Sequence, residues 1–237
     1  MMKNTLHLHG IDVPIMPDEV SDIIWSALRD GSYEAKEARW AVKAARPKDR
    51  ILELGSGIGV ITSLLAAVDG TQVMAFEANP HTVTLAEKVI RANNRNNVEL
   101  RQGLLTAGPP QDFTFYVRED LWMSSLLEHQ GPYLKTIKIQ STNIDEFIRQ
   151  ANIDLIVMDI EGAELDLLKG AELPGVERVF LEFHDHLYGL EGIRHLTSAM
   201  ADKGFAYDPR GSSGPCVLFS RNTDPRSYEA EDIHAAA

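Results

Sequence analysis

Three short runs hold the residue types best suited to chemistry. In Ile51-Leu-Glu53-Leu-Gly55-Ser56-Gly57-Ile-Gly59 a carboxylate and three alternating glycines close an apolar stretch. Asp159-Ile-Glu161-Gly-Ala-Glu164 follows a second apolar stretch, and Glu182-Phe-His184-Asp-His186 follows a third. Alternating glycines let the main chain turn sharply and approach a ligand with no Cβ in the way. Carboxylates and imidazoles at strand ends suit proton transfer, hydroxyl binding or metal coordination. Imidazole is the natural base for a hydroxyl near neutral pH, which makes His184 a catalytic candidate beside Asp159 and Glu161. A hydrogen bond at a strand end is the ordinary alternative for His184. Glu164, in the first turn of a helix, is equally accounted for by the helix dipole. His184 and His186 could project to one side and hold a divalent ion with Asp159, but so few ligands do not make a site, and no metal is expected.

The glycine run reads as a loop for a nucleoside cofactor that carries positive charge. A dinucleotide fingerprint wants Gly or Ala where this chain has Val60, and it keeps the loop N–H groups free for a pyrophosphate, which Glu53 would repel. S-adenosylmethionine has no phosphate and carries a sulfonium and an ammonium, so a carboxylate beside the loop suits it. Glu77 stands about 20 residues further on, at the tip of the next strand, where a carboxylate can take hydrogen bonds from both ribose hydroxyls. Ala78 follows it on the same rim. Asn79 as N-cap and Pro80 at the first helical position then open a helix.

These residues need a scaffold that brings strand ends together. Strands at 72–77, 98–102, 153–158 and 176–183 alternate with helices at 60–68, 80–92, 144–150, 163–168 and 192–201, the rhythm of a parallel sheet. Strands near 205–207 and 216–220 complete a Rossmann-like, doubly wound, mostly parallel α/β sheet of seven strands. Asp159 then ends the strand beside the glycine-loop strand and faces the cofactor crevice. Residues 6–15 alternate weakly, as an edge strand or hairpin arm, and helices at 18–29 and 33–45 form a lid over the sheet. The rhythm breaks at about 104–142, where strands at 113–117 and 136–140 flank a loop with Asp120, Trp122, Ser124, Ser125 and His129. That is an insertion of antiparallel character, shaping either a substrate pocket or a plain sheet edge. The expected organisation is an N-terminal segment, 1–48, a cofactor-binding domain, 49–221, and a polar, disordered tail, 222–237.

The 237 residues fit one large domain, and 23 Lys plus Arg against 35 Asp plus Glu give a net charge of −12. That balance disfavours nucleic acid or an anionic membrane as the main partner and favours a neutral or cationic small molecule. With Cys216 as the single cysteine there is no intrachain disulfide. Neither a signal peptide nor a stretch long enough to span a bilayer is visible, and the expected location is the cytoplasm.

With these runs in view, the chain resembles the class I S-adenosylmethionine-dependent methyltransferases and, within them, the FkbM family. The fold-level signature is Glu53-Leu-Gly-Ser-Gly-Ile-Gly59 with Glu77. The family-level signature is Met158-Asp-Ile-Glu-Gly-Ala-Glu164, supported by Gly31-Ser-Tyr-Glu34, Ser141-Thr-Asn-Ile-Asp145 and Glu182-Phe-His184. The family usually has Asp at the position of Glu53 and a Gly-Ala-Asn type of loop; the acid and the small residues are kept here. The resemblance implies the class I methyltransferase fold, S-adenosylmethionine as cofactor, and methyl transfer to a hydroxyl of a sugar or natural-product-like small molecule. By the same analogy Tyr33 and Glu34 close over the methionine end, while Gln102 and Gly103 lie where the adenine packs. His184 or Asp159 is then the base, and Glu161 binds the acceptor or orients the histidine. A homodimer is compatible with the sequence. The rivals are an NAD(P)-dependent oxidoreductase and a methyltransferase-fold binding protein without turnover.

Overall fold

The computed structural model describes residues 5–221; the polar tail expected to be disordered lies outside them. The chain opens with a hairpin, β1 (Leu6–Leu8) and β2 (Ile11–Val13), then α1 (Asp22–Asp30) and α2 (Ala35–Ala44). The core follows as β3 (Arg50–Leu54), α3 (Val60–Leu65), β4 (Gln72–Glu77), α4 (Pro80–Ala92) and β5 (Val98–Gln102). Next come β6 (Leu104–Thr106), β7 (Asp112–Val117), β8 (Lys135–Asn143), α5 (Ile144–Ala151) and β9 (Leu155–Met158). The last elements are α6 (Glu164–Gly170), β10 (Arg178–Glu182), α7 (Asp185–Asp202), β11 (Phe205–Tyr207) and β12 (Cys216–Arg221).

Seven strands form the main sheet in the order β11-β12-β10-β9-β3-β4-β5. β12 runs against its two neighbours and the other pairs are parallel. The chain leaves β3 toward β4 and β5, then returns to place β9 on the other side of β3. The order reverses there, which opens a crevice at the carboxyl ends of β3 and β9. Both faces are covered, so the central strands read as unbroken apolar runs. Leu52, Leu54, Met74 and Phe76 point to the face packed by Ile144, Phe147, Leu167, Leu168 and Leu196 from α5, α6 and α7. Ile51, Val73, Ala75, Val157 and Phe180 point to the other face, against Ala38, Ala41, Ile61 and Leu65 from α2 and α3. Among the described residues no helix is long and apolar enough to cross a membrane.

Of the two expected N-terminal helices, α2 packs directly on the sheet, whereas α1 and the hairpin pack against Ile58, Val60, Leu85 and Val89. Helix α1 starts at Asp22, later than its apolar pattern suggests, because Pro17–Glu19 form a 3-10 turn and Ser21 caps the helix by accepting from Ile24 N. The insertion contains the expected antiparallel pair, β7 with β8, plus the unexpected β6, which pairs parallel with β8. Helix α7 begins at Asp185, with a break at Gly189, φ +60°, so His186 lies in its first turn and not on the strand.

Candidate active site

The crevice is built around one close approach. Gly55, at φ +82°, follows β3 directly, and a Cβ there would lie 1.8 Å from the carbonyl oxygen of Asp159. Only glycine lets the two strand ends meet at this distance. Asp159 N donates to Leu54 O at 3.0 Å, and Gly55 N donates to Phe76 O at 2.9 Å, so the ends of β3, β4 and β9 are tied together. Glu77 is used twice by the loops around it. Its Oε2 accepts from Gly57 N at 3.1 Å and its Oε1 from Asn79 N at 2.8 Å. Burial nevertheless pushes its pKa up to about 7, against the lowering by these N–H groups.

A cavity of about 540 Å³ opens from this point. Of the residues expected at the site, Tyr33, Glu34, Gly55, Gly57, Glu77, Ala78, Gly103, Asp159 and Glu161 line it. Glu53, Ser56, Gly59, Gln102 and His184 do not, each for a local reason. Glu53 shares its strand face with Ile51, so the alternation of β3 turns it toward α2 and α3. There it lines a second cavity of about 20 Å³ with Glu34, Glu37, Asp159 and Glu182. Burial, with the charge of Glu77 adding, raises Glu53 to about 8. Ser56 is buried inside the turn, and Gly59 is the N-cap of α3. Gln102 is exposed at the end of β5. Both Glu34, φ +50°, and Glu161, φ +54°, occupy the left-handed region, a strained placement for a side chain that is common at functional sites.

His184 lies behind the cavity wall, its side chain only 6% exposed, in a cage of three carboxylates. Its Nε2 is 3.4 Å from Asp159 Oδ1 and 3.5 Å from Glu161 Oε2. On the opposite edge of the ring, Nδ1 is 3.3 Å from Glu164 Oε1, an ion-pair distance without the alignment of a good hydrogen bond. Burial opposes a charge on the ring, but Glu164 and then Asp159 and Glu161 outweigh it and raise His184 to about 9. Asp159 is raised well above the ordinary aspartate value by burial and by the charge of Glu161. Glu161 is raised to about 7 by burial, with His184 pulling it down. Asp159, Glu164 and His184 offer ligand atoms within 4.8 Å of one another. Because Asp159 and Glu164 face different ring nitrogens, the arrangement is that of an imidazolium held between carboxylates more than that of one ion's ligands.

The residue whose role the sequence leaves open between helix dipole and site is Glu164. It is fully buried, and it closes the turn after β9 by accepting from Ile160 N at 2.9 Å and Gly162 N at 3.0 Å. The insertion loop with Asp120 and Trp122, for which the sequence leaves a pocket or a plain sheet edge open, forms a roof over the cavity. Trp122 lines the cavity and stacks on Tyr33, with ring centroids 6.0 Å apart and planes at 26°. Ser21 Oγ donates to Asp120 Oδ1 at 2.5 Å, which fastens α1 to the same loop. Buried Arg118 holds that loop by donating to the carbonyls of Met123, Leu127 and Glu128. A lone arginine after an apolar strand gives no sequence signal for such a role.

The charge pattern fits a cationic ligand. Among the described residues lining the cavity there is no Lys or Arg, while Glu34, Glu77, Asp159, Glu161 and Asp166 are present. Glu34 Oε2, Glu53 Oε2 and Asp159 Oδ1 are buried without a hydrogen-bond partner. A doubly wound sheet with a glycine loop, a carboxylate at the tip of β4 and orphaned carboxylate oxygens defines the class, an S-adenosylmethionine-dependent methyltransferase fold. A family model for the methyltransferase FkbM domain matches residues 53–207, and the chain belongs to that family. A Pyrococcus horikoshii structure provisionally described as a transferase is similar at a TM-score of 0.50 and 13% identity, over 91% of this chain and 68% of that one. Fibrillarin from Aeropyrum pernix, solved with natively bound S-adenosyl-L-methionine, is similar at a TM-score of 0.44 and 14% identity, over 78% of this chain and 73% of that one. An uncharacterized protein of Methanocaldococcus jannaschii is 24% identical over 108 residues, 46% of this chain. The chain matches 39% of the length of that curated relative. The cofactor is S-adenosylmethionine.

Proposed function

We propose that this methyltransferase acts on a hydroxyl oxygen of a small, uncharged or cationic acceptor, of the sugar or natural-product type. The observation that carries the reading is the pair Asp159 and Glu161, two carboxylates of raised pKa on the cavity wall with His184 behind both. Bound S-adenosylmethionine supplies a methyl group made electrophilic by its sulfonium. Glu77 holds the ribose, Tyr33 and Glu34 close over the methionine end, and Gly103 gives the adenine a surface. As the methyl group passes to the acceptor oxygen and the neutral thioether leaves, a cavity carboxylate would take the hydroxyl proton. Asp159 is the base in this scheme, with Glu161 binding the acceptor; His184 does not reach the cavity and acts through them. Asp166 and the apolar wall formed by Phe113, Phe115 and Leu126 suit an acceptor without anionic groups.

The test uses a panel of hydroxylated sugars and polyols with the wild type, Asp159→Asn and Glu161→Gln. Both variants are expected to bind S-adenosylhomocysteine within about threefold of wild type and to lose on the order of 10²-fold or more in turnover. Full turnover in Asp159→Asn removes that residue from the chemistry. Calorimetry with S-adenosylhomocysteine and with NAD separates the oxidoreductase alternative, and binding of NAD alone would overturn the reading.

A further inference from the structure

We propose that Glu164 is a positioning residue that fixes the His184 ring with Nδ1 inward and so dedicates Nε2 to the two carboxylates of the cavity wall. The inference rests on the reading of Asp159 and Glu161 given above. Three observations lead to it. Glu164 is fully buried, yet its two oxygens are already engaged by Ile160 N and Gly162 N, which pins the carboxylate in one orientation. From that orientation Oε1 stands 3.3 Å from Nδ1. On the other edge Nε2 faces Asp159 and Glu161 at nearly equal distances, 3.4 Å and 3.5 Å. The same side chain therefore shapes the turn that carries Asp159 and Glu161 and orients the ring behind them.

The consequence is electrostatic. Glu164 keeps a positive charge on His184, and that charge lowers the pKa of both cavity carboxylates by more than the charge of Glu164 itself raises it. Without it two adjacent, partly buried carboxylates would share a proton and neither would serve as a ready base. The groups facing His184 from the surrounding elements are Asp159 and Glu161 after β9, Glu164 on α6, Glu182 on β10, and His186 and Tyr188 on α7. Tyr188 accepts from the backbone N–H of His184 through its hydroxyl at 2.7 Å and leaves the ring nitrogens to the carboxylates.

The experiment is ring-nitrogen NMR of the full chain, with the His184 signals assigned by their loss in His184→Gln. In wild type the ring is expected to titrate near 9 and, above that pH, to be the Nδ1–H tautomer, with Nε2 unprotonated. In Glu164→Gln the midpoint is expected to fall by more than about half a pH unit. A smaller fall, or an Nε2–H tautomer in wild type, overturns the proposal. The tautomer is read in wild type and does not use Glu164→Gln, so a Glu164→Gln chain that fails to fold leaves the test standing. Titration of the same samples with S-adenosylhomocysteine tests the cofactor reading on its own: lack of binding would count against that reading while the tautomer still decides the role of Glu164.

Discussion

Replacing Gly55 by alanine probes the close approach on which the crevice depends. The added Cβ would sit 1.8 Å from Asp159 O and 2.9 Å from Asp159 C, and both neighbours are backbone atoms that no rotamer change can move. The end of β9 would have to retreat by more than an ångström, against the hydrogen bond from Asp159 N to Leu54 O. Two costs add. The left-handed conformation at φ +82° costs an alanine about 1 kcal/mol, and the forced displacement costs about 1–3 kcal/mol more. Gly10 supplies the control, because it sits at φ +87° with nothing within 4 Å of its Cβ position. Gly10→Ala should therefore lose about 1 kcal/mol, and Gly55→Ala about 2–4 kcal/mol. Urea unfolding at constant slope measures both. S-adenosylhomocysteine affinity should fall about tenfold or more in Gly55→Ala, since the junction of β3 and β9 that shapes the crevice is displaced, and should be unchanged in Gly10→Ala. Equal destabilisation of the two variants, with equal binding, would refute the argument from the strand junction.

Buried charges elsewhere in the fold have consequences of the same kind. Glu53 and Glu77 stay protonated to about 8 and about 7 when folded, against the ordinary 4.5, so the folded state binds more protons than the unfolded one. Their contribution is complete below about pH 4.5 and is lost as pH rises through 7 and 8; the melting temperature of the cofactor-free protein should decline over that range, and an unchanged or rising curve would contradict the burial of these groups. His184, raised to about 9, acts in the same direction between its ordinary 6.5 and 9. Asp49 and Arg178 form a buried pair, with contacts of 2.8 Å and 3.0 Å, and Arg178 also donates to Ala44 O at 2.7 Å. Asp49→Ala leaves the buried guanidinium with only the half-exposed Glu177, 3.9 Å away, as counter-charge, and the expected loss is about 3–5 kcal/mol in denaturant unfolding. Trp122→Ala removes the ring stacked on Tyr33 and should weaken S-adenosylhomocysteine binding about threefold to tenfold in calorimetry with little change in stability.

The parts of the site that follow local rules were legible in the sequence. A glycine after an apolar strand, an acid at the tip of the next strand and a second acid on the adjacent strand place Gly55, Glu77 and Asp159 without any knowledge of distant contacts. The pleat was legible too: Ile51 and Glu53 are two apart and share a face, so the turning of Glu53 away from the large cavity follows from its spacing. Strand β6 was not legible, because its three residues are strand only through pairing with β8, with Leu104 opposite Ser141. The start of α7 was hidden by Gly189 and Gly192, which interrupt the apolar period that marks a helix. Glu164 carried two meanings in sequence, a first-turn acid and a site acid. Only its complete burial decides between them.

The main-chain donors at the crevice explain why this glycine loop belongs with a cation. In a dinucleotide fold, strand ends and helix N-termini present free N–H groups, and a pyrophosphate takes them. Here the protein spends those donors on its own carboxylates. Gly57 N and Asn79 N go to Glu77, and Ile160 N and Gly162 N go to Glu164. An incoming phosphate would meet occupied donors and a second layer of negative charge from Glu34, Asp159 and Glu161, and no Lys or Arg among the described lining residues to offset it. A sulfonium with an ammonium meets the opposite situation, since it enters a region where burial raises Glu34, Glu77, Asp159 and Glu161 and a positive charge relieves each of them. Methyl transfer removes the sulfonium charge, so the same carboxylates hold the spent cofactor less strongly than the loaded one. The acid-lined crevice thus selects its ligand by charge on entry and loses part of that attraction at the moment the methyl group leaves.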